Sequence, residues 1–292
     1  MELMKNVTVK VVLFAFFLSC ARTGECQDNS MTYKAVIRTD IAGVHERASA
    51  STPLVTQALL NEEIEVFSTR GSFVYALVPD GYTGYIRASD ITRDLSSIHA
   101  DGDKIIIVST FASIYDQRGR EIYKAPMSSI FFGISDVNRY IITLPENITG
   151  YIDKKDAMCI DRYADIPFGT GRGFAEVAKM FLGVRYLWGG CSAAGIDCSG
   201  LTYISAKMNG LRLPRDSMPQ SRVGVYVDLR DAVIGDQLFF SSDAGRTRVT
   251  HTGIYLGRGN FIHSAGDNGV IIENIYNNQF YNRRFMFVKR YF

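Results

Sequence analysis

The sequence carries no excess of charge of either sign. Its 32 Lys and Arg against 30 Asp and Glu leave a net charge of +2. That removes the electrostatic reason to expect nucleic acid or a strongly anionic membrane surface as partner. Histidine is scarce, at four residues, and there is no Cys-x-x-Cys pair, so a zinc site has little to be built from. What is present is ordinary for a globular protein: 47% hydrophobic and 21% charged residues over 292 positions, enough for two or three domains.

The N-terminus reads as an export leader over residues 1–26. Lys5 and Lys10 form a positive region, and the apolar run Val11 to Leu18 is far too short to span a bilayer. Ser19-Cys20-Ala21 offers small residues for signal cleavage, while Leu18-Ser19-Cys20 resembles a bacterial lipobox with Phe17 in place of Leu. In the second case Cys20 carries lipid and is the protein's link to a membrane. Both cases place the chain outside the cytoplasm, in the periplasm or cell envelope. Five cysteines are present: Cys20 and Cys26 belong to the leader, and Cys159, Cys191 and Cys198 to the folded part. In an exported protein Cys198 could be bridged to Cys191 or Cys159.

Short strands punctuated by turns fill residues 35–160. Segments such as Glu63 to Phe67 and Phe73 to Val78 are separated by turn signals at Thr69-Arg-Gly-Ser72 and Asp80-Gly-Tyr-Thr-Gly84. A second round runs from Lys104 to Asp153. Both rounds contain the same idiom, Thr83-Gly-Tyr-Ile-Arg87 and Thr149-Gly-Tyr-Ile-Asp153, 66 residues apart. The repetition predicts two small β-barrels in tandem, over 35–95 and 96–160. The first resembles bacterial SH3-like domains through Leu54-Val-Thr-Gln-Ala-Leu-Leu60 and Asp80-Gly-Tyr-Thr-Gly-Tyr85; the second resembles them more loosely. Residues 161–172, with Pro167 and two glycines, read as a linker. Beyond it, helical runs at Phe174 to Leu182 and Cys198 to Met208 precede five strands, from Gln237 to Arg290. Helices followed by an antiparallel sheet predict an α+β domain over 173–292.

The chemistry centres on Cys198, which opens a helix directly after Asp197. Unpaired N–H groups and the helix dipole at that end favour a thiolate. A nucleophilic cysteine also needs a base, and His251 and His263 lie on two consecutive strands. They share a sheet face only if the register pairs Gly253 with His263. A two-residue turn at Arg258-Gly259 breaks that register; a three-residue loop, Gly257-Arg-Gly259, preserves it. The three-residue loop is expected, with Gly259 in a left-handed position.

Six segments occur in order: Tyr186-x-Trp188-Gly-Gly, Asp197-Cys-Ser-Gly-Leu, Pro214-Arg-Asp-Ser-x-x-Gln220, Gly235-Asp-Gln-Leu-Phe-Phe240, His251-Thr-Gly-Ile-Tyr-Leu256 and Phe261-Ile-His-Ser-Ala265. Together they resemble the NlpC-type cell-wall cysteine peptidases, a papain-like family with a Cys-His-His triad. The SH3-like domains ahead of them resemble its dipeptidyl-peptidase VI-like branch. The resemblance implies Cys198 as nucleophile, His251 as base and His263 as the residue that orients it. It places Tyr186 at the oxyanion, Trp188 in the cleft wall, and Asp197 and Ser199 against the substrate main chain. Asp197 can equally be a helix N-cap. Asp216 is implied to bind the free amino group of a terminal L-Ala. Ser217 serves either that pocket or a capping box with Gln220. Glu46 and Tyr82 are the SH3-domain candidates for completing the pocket. Arg246 and Arg248 read as solvated loop charge.

The implied activity is hydrolysis of the γ-D-glutamyl to diamino-acid bond in peptidoglycan stem peptides with a free N-terminal L-Ala. It needs neither a metal nor an organic cofactor. The alternatives are an endopeptidase or amidase acting on intact peptidoglycan, and a catalytically silent peptidoglycan-binding protein. Retention of Cys198, His251 and His263 argues against the silent form.

Overall fold

The computed structural model describes residues 32–160 and 169–292. The leader, Cys20, Cys26 and linker residues 161–168 lie outside them. The first barrel comprises β1 (Tyr33–Ile37), β2 (Ile41–His45), β3 (Leu54–Leu59), β4 (Glu63–Arg70), β5 (Phe73–Leu77), β6 (Thr83–Arg87) and β7 (Ile91–Thr92). The second comprises β8 (Asp103–Ile107), β9 (Phe111–Tyr115), β10 (Glu121–Pro126), β11 (Ile130–Ser135), β12 (Arg139–Leu144), β13 (Ile148–Asp153) and β14 (Ala157–Ile160).

The strand orders, β3-β2-β6-β5-β4-β1-β7 and β10-β9-β13-β12-β11-β8-β14, are the same topology twice. The repeated Thr-Gly-Tyr-Ile idiom falls on the equivalent strands β6 and β13. Its glycine has one physical reason in both copies: a Cβ at Gly84 would come 2.6 Å from Val44, and one at Gly150 2.7 Å from Ile114. The strand presses on the barrel core there, and the following Ile86 and Ile152 are fully buried in it.

The α+β domain begins with α1 (Gly171–Lys179), whose N-cap Thr170 accepts a hydrogen bond from the Gly173 N–H at 3.0 Å. The helix therefore starts three residues before the expected Phe174, inside the span read as linker. The short ribbon β15 (Cys191–Ser192) and β16 (Gly195–Ile196) leads into α2 (Cys198–Lys207), followed by the single turn α3 (Ser217–Gln220). The sheet comprises β17 (Val225–Val227), β18 (Gln237–Ser241), β19 (Val249–Gly257), β20 (Asn260–Ala265), β21 (Gly269–Asn274) and, after α4 (Gln279–Arg284), β22 (Phe285–Arg290). Its order is β17-β22-β18-β19-β20-β21, and the adjacent pairs are antiparallel. Helices α1 and α2 cover β19 and β20, with Phe174, Phe181, Leu201 and Ile204 packed against Ile254 and Ile262. Leu59 and Ile106 of the two barrels join the same core, so barrels and α+β domain form a continuous body.

Strand β3, at the edge of the first barrel, is docked on the α+β domain. Gln57 Oε1 accepts from the Cys191 N–H at 2.9 Å and the Ser192 hydroxyl at 3.0 Å, and Lys207 pairs with Glu62 at 3.2 Å. An edge strand covered in this way is closed to pairing with other chains.

The β19–β20 connection corrects the sequence reading. Gly257 pairs with Asn260 across a two-residue turn, with Arg258 at φ 54° and Gly259 at φ 80°, so the three-residue loop is not formed. Yet Tyr255 pairs with Phe261 and Ile254 with Ile262, which leaves Leu256 as a one-residue bulge. The odd residue sits in the strand instead of the loop. Its effect on register is the one the longer loop would have had: a Cβ on Gly253 would lie 3.0 Å from that of His263.

The turn holds Arg258 in a left-handed conformation that Asn tolerates better. Arg258→Asn is expected to stabilise the protein by about 0.5–1 kcal/mol, read as a rise in Tm with activity unchanged. A fall in Tm would contradict the turn assignment.

Candidate active site

Asp197 is the N-cap of α2, accepting from the Gly200 N–H at 2.7 Å and the Ser199 hydroxyl at 3.0 Å through Oδ1. Its other oxygen accepts from the Gly189 N–H at 2.9 Å. Arg215 then closes on it in a fork, Nη1 to Oδ1 at 3.0 Å and Nη2 to Oδ2 at 2.7 Å. The cap reading is thus the one the Asp197 side chain occupies; both oxygens are engaged within the protein rather than turned to a substrate. Ser199 is committed likewise, its hydroxyl also accepting from Arg215 at 3.1 Å. Ser217 is the first residue of α3 and Asp216 precedes it as N-cap without a side-chain cap bond, so no Ser217–Gln220 capping box forms. Gln220 instead accepts from Thr202 and Gln237, each at 2.8 Å.

Ten of the eleven predicted residues line one cleft of about 630 Å³. Tyr186, Trp188, Asp197, Cys198, Ser199, Asp216, Ser217 and His251 of the α+β domain line it. Glu46 and Tyr82 come from the first barrel. Tyr186 is placed near Cys198 by its parallel bridge to Ile196, two residues before that cysteine. Trp188 is 67% exposed, which excludes simple core packing and leaves it as cleft wall. Arg222 and Arg248 also reach the cleft. The eleventh residue, His263, is fully buried behind His251, whose Nε2 lies 2.9 Å from His263 Nδ1. With Nε2 committed there, Nδ1 is the His251 nitrogen left to exchange a proton with the thiol.

Neither Cys191 nor Cys198 is in a disulfide. The expected lowering of the Cys198 pKa by its helix end is outweighed. Burial, followed by the Asp197 charge, pushes the thiol up to about 12, against the opposing pull of the Thr252 and Ser199 backbone N–H groups and of Arg215. Burial also lowers His251 to about 4, with Asp197 opposing, and His263 is lowered further by burial and by His251. Burial thus disfavours a lone charge on either the thiol or the imidazole. Neither group charges alone, because a lone charge in this cleft loses its hydration; the two charge together when the proton passes between them. Burial, reinforced by Cys198 and Asp197, raises the Tyr186 phenol, which keeps its proton as a donor needs to.

Sequence reasoning missed three residues. Nothing in the segment Pro214-Arg-Asp-Ser gives Arg215 a role; its fully enclosed guanidinium does. Thr56, buried in β3, accepts from Arg215 Nε at 3.2 Å and donates to Asp80 at 2.5 Å, and no local pattern marks it. Tyr281 lies with its ring against both histidines.

Residues 183–290 match the NlpC/P60 family, and residues 44–91 match the bacterial dipeptidyl-peptidase Sh3 domain. The chain is 33% identical over 223 residues to a gamma-D-glutamyl-L-lysine dipeptidyl-peptidase of Bacillus cereus, covering 72% of this chain and 67% of that one. It is 30% identical to the Bacillus subtilis protein of the same name, covering 72% and 71%. The chain belongs to the NlpC/P60 family. A crystal structure of an NlpC/P60 family protein from Bacillus cereus superposes with a TM-score of 0.82 at 27% identity, over 88% of this chain and 99% of that one. The order of two barrels and a papain-like NlpC/P60 domain thus extends over nearly the whole described chain.

Two outcomes follow for this NlpC/P60 site. Arg215→Ala leaves the buried Asp197 carboxylate without its partner and is expected to cost about 3–5 kcal/mol in denaturant unfolding; a loss under 1 kcal/mol would contradict the central role of the pair. Alkylation of Cys198 by iodoacetamide should speed up about tenfold per pH unit between about pH 6 and 9, as a neutral thiol requires. A flat rate across that range would instead reveal a resting thiolate–imidazolium pair.

Proposed function

We propose that this NlpC/P60 protein is an exported cysteine peptidase that removes L-Ala-γ-D-Glu from the diamino acid of free peptidoglycan stem peptides. The observation that carries this reading is the join across the cleft between Tyr82 of the first barrel and Asp216 of the peptidase domain, whose side chains are hydrogen-bonded to each other. Glu46 lines the same cleft. Burial and the Asp216 carboxylate raise the Tyr82 phenol, so it remains a donor. The cleft is therefore lined by two carboxylates and a phenol, with the phenol paired to Asp216, a setting that favours an ammonium and disfavours an acylated nitrogen. The relatives named as gamma-D-glutamyl-L-lysine dipeptidyl-peptidases support the same bond.

The chemistry runs as acyl transfer. Cys198 Sγ attacks the γ-carbonyl carbon of D-Glu as its proton passes to His251 Nδ1, while His263 holds the ring through Nε2. Tyr186 donates to the oxyanion. His251 then gives the proton to the departing amine of the diamino acid, leaving the dipeptide as a thioester on Cys198. Water, deprotonated by His251, cleaves the thioester and restores the thiol. The leader supports export; lipid on Cys20 would anchor the enzyme at the envelope, and cleavage after it would release the enzyme.

An endopeptidase on intact, crosslinked peptidoglycan would meet stem peptides whose N-terminus is acylated, which a carboxylate-lined cleft does not accommodate. Digestion of L-Ala-γ-D-Glu-diamino acid against its N-acetyl form separates the readings. The acetylated peptide should lose about 100-fold in kcat/KM, and Asp216→Asn about 10- to 100-fold on the free peptide, from the loss of a charge-assisted hydrogen bond. Cys198→Ala should abolish both. Equal cleavage of the two peptides would refute the amine pocket.

A further inference from the structure

Tyr281 of α4 does not line the cleft, yet its ring meets both histidines. Its centroid is 5.7 Å from that of His251 with 28° between the planes, and 4.8 Å from that of His263 at 74°. Phe240, Phe261 and Phe280 contact the same ring at 5.4, 5.3 and 5.1 Å and fix it from other sides. The His251 ring is therefore backed by a nearly parallel aromatic face while its edge is held by His263 at 2.9 Å.

The reaction requires His251 to become positively charged in a place that disfavours charge. The carboxylate that opposes this, Asp197, is already divided between Arg215 and the helix cap. A π face within about 6 Å of a cation stabilises it, shifting an equilibrium by roughly 2- to 30-fold at exposed to desolvated sites. We propose that Tyr281 is a positioning residue of the acylation step: its ring face sets the plane of His251 and stabilises the imidazolium formed as Cys198 gives up its proton. The inference rests on the Cys198–His251 reading of the site. The charged and titratable groups around this pair are Asp197 and Cys198 at the head of α2, Arg248 beside β19, Glu273 on β21 and Arg284 on α4.

The test uses the full chain with Tyr281→Phe, which keeps the face, and Tyr281→Leu, which keeps bulk without it. Three quantities are read: titration of the His251 ring by NMR, the rate of Cys198 alkylation by iodoacetamide, and kcat and KM on the free tripeptide. Tyr281→Phe should stay within about 2-fold of wild type. Tyr281→Leu should alkylate and turn over roughly 10-fold more slowly, with KM unchanged and His251 titrating at lower pH than in wild type. If Tyr281→Leu does not fold, Tyr281→Met is read in the same way. A Leu variant with wild-type His251 titration and alkylation would overturn the proposal, as would a Phe variant as slow as the Leu one, which would assign the effect to the hydroxyl. Alkylation and titration need no substrate, so a wild-type enzyme inactive on the tripeptide would sink the substrate reading alone.

Discussion

Everything at this site depends on how one buried guanidinium is satisfied. Arg215 is 1% exposed and has five N–H donors, and all five are used: Nε on Thr56, Nη1 on Asp197 and Ser199, Nη2 on Asp197 and Gly190. Taking such a group out of water is costly unless every donor is met. Meeting them simultaneously fixes the cap of the nucleophile helix, the glycine-rich approach to it and a strand of the neighbouring barrel. Cys198 is aimed because Asp197 is held, and Asp197 is held because Arg215 has nowhere else to go.

The same residue ties the two ends of the cleft together. From Thr56 the hydrogen bonds continue to Asp80, whose other oxygen accepts from the Tyr82 N–H at 2.9 Å, and Tyr82 reaches Asp216. Asp216 is the chain neighbour of Arg215. A closed circuit of side chains and backbone thus links the helix of Cys198, the first barrel and Asp216, so the two ends of the cleft share one scaffold. Tyr82 comes from the turn before β6 and Asp216 from the N-cap of α3, so this end of the cleft is held by the hydrogen bond between the two domains.

Much of this was legible in the sequence, and the failures have physical causes. Strands β18, β20 and β22 begin and end where alternation and turn residues place them. The Thr-Gly-Tyr-Ile repeat marks equivalent strands because the glycine contact it encodes is local to each barrel. The histidine pair was reached through the wrong device. A residue added in a loop and a residue bulged from a strand give the same spacing and parity, and only the ladder tells them apart. The thiol was misjudged because a helix end is visible in sequence while the depth at which it is buried is not. Arg215 was invisible as an organiser for a related reason: its partner Thr56 lies 159 residues away, and satisfaction of a buried donor is a property of the assembled fold.

The docking of β3 also bears on how such a chain can be inherited. Thr56 meets a donor of Arg215, and Gln57 meets the N–H of Cys191. A recombination point between barrel and peptidase would therefore sever hydrogen bonds belonging to the interior of the catalytic half. The first barrel is not a detachable targeting module that evolution can swap for another wall-binding domain; it travels with its peptidase or leaves it with an unmet buried N–H donor on Arg215. The second barrel, with the same topology, has no side chain in the cleft among the described residues, and meets the shared core through Ile106, Met127 and Ile160. Two copies of one topology are thus joined to the enzyme by different means, one by buried hydrogen bonds and one by apolar packing.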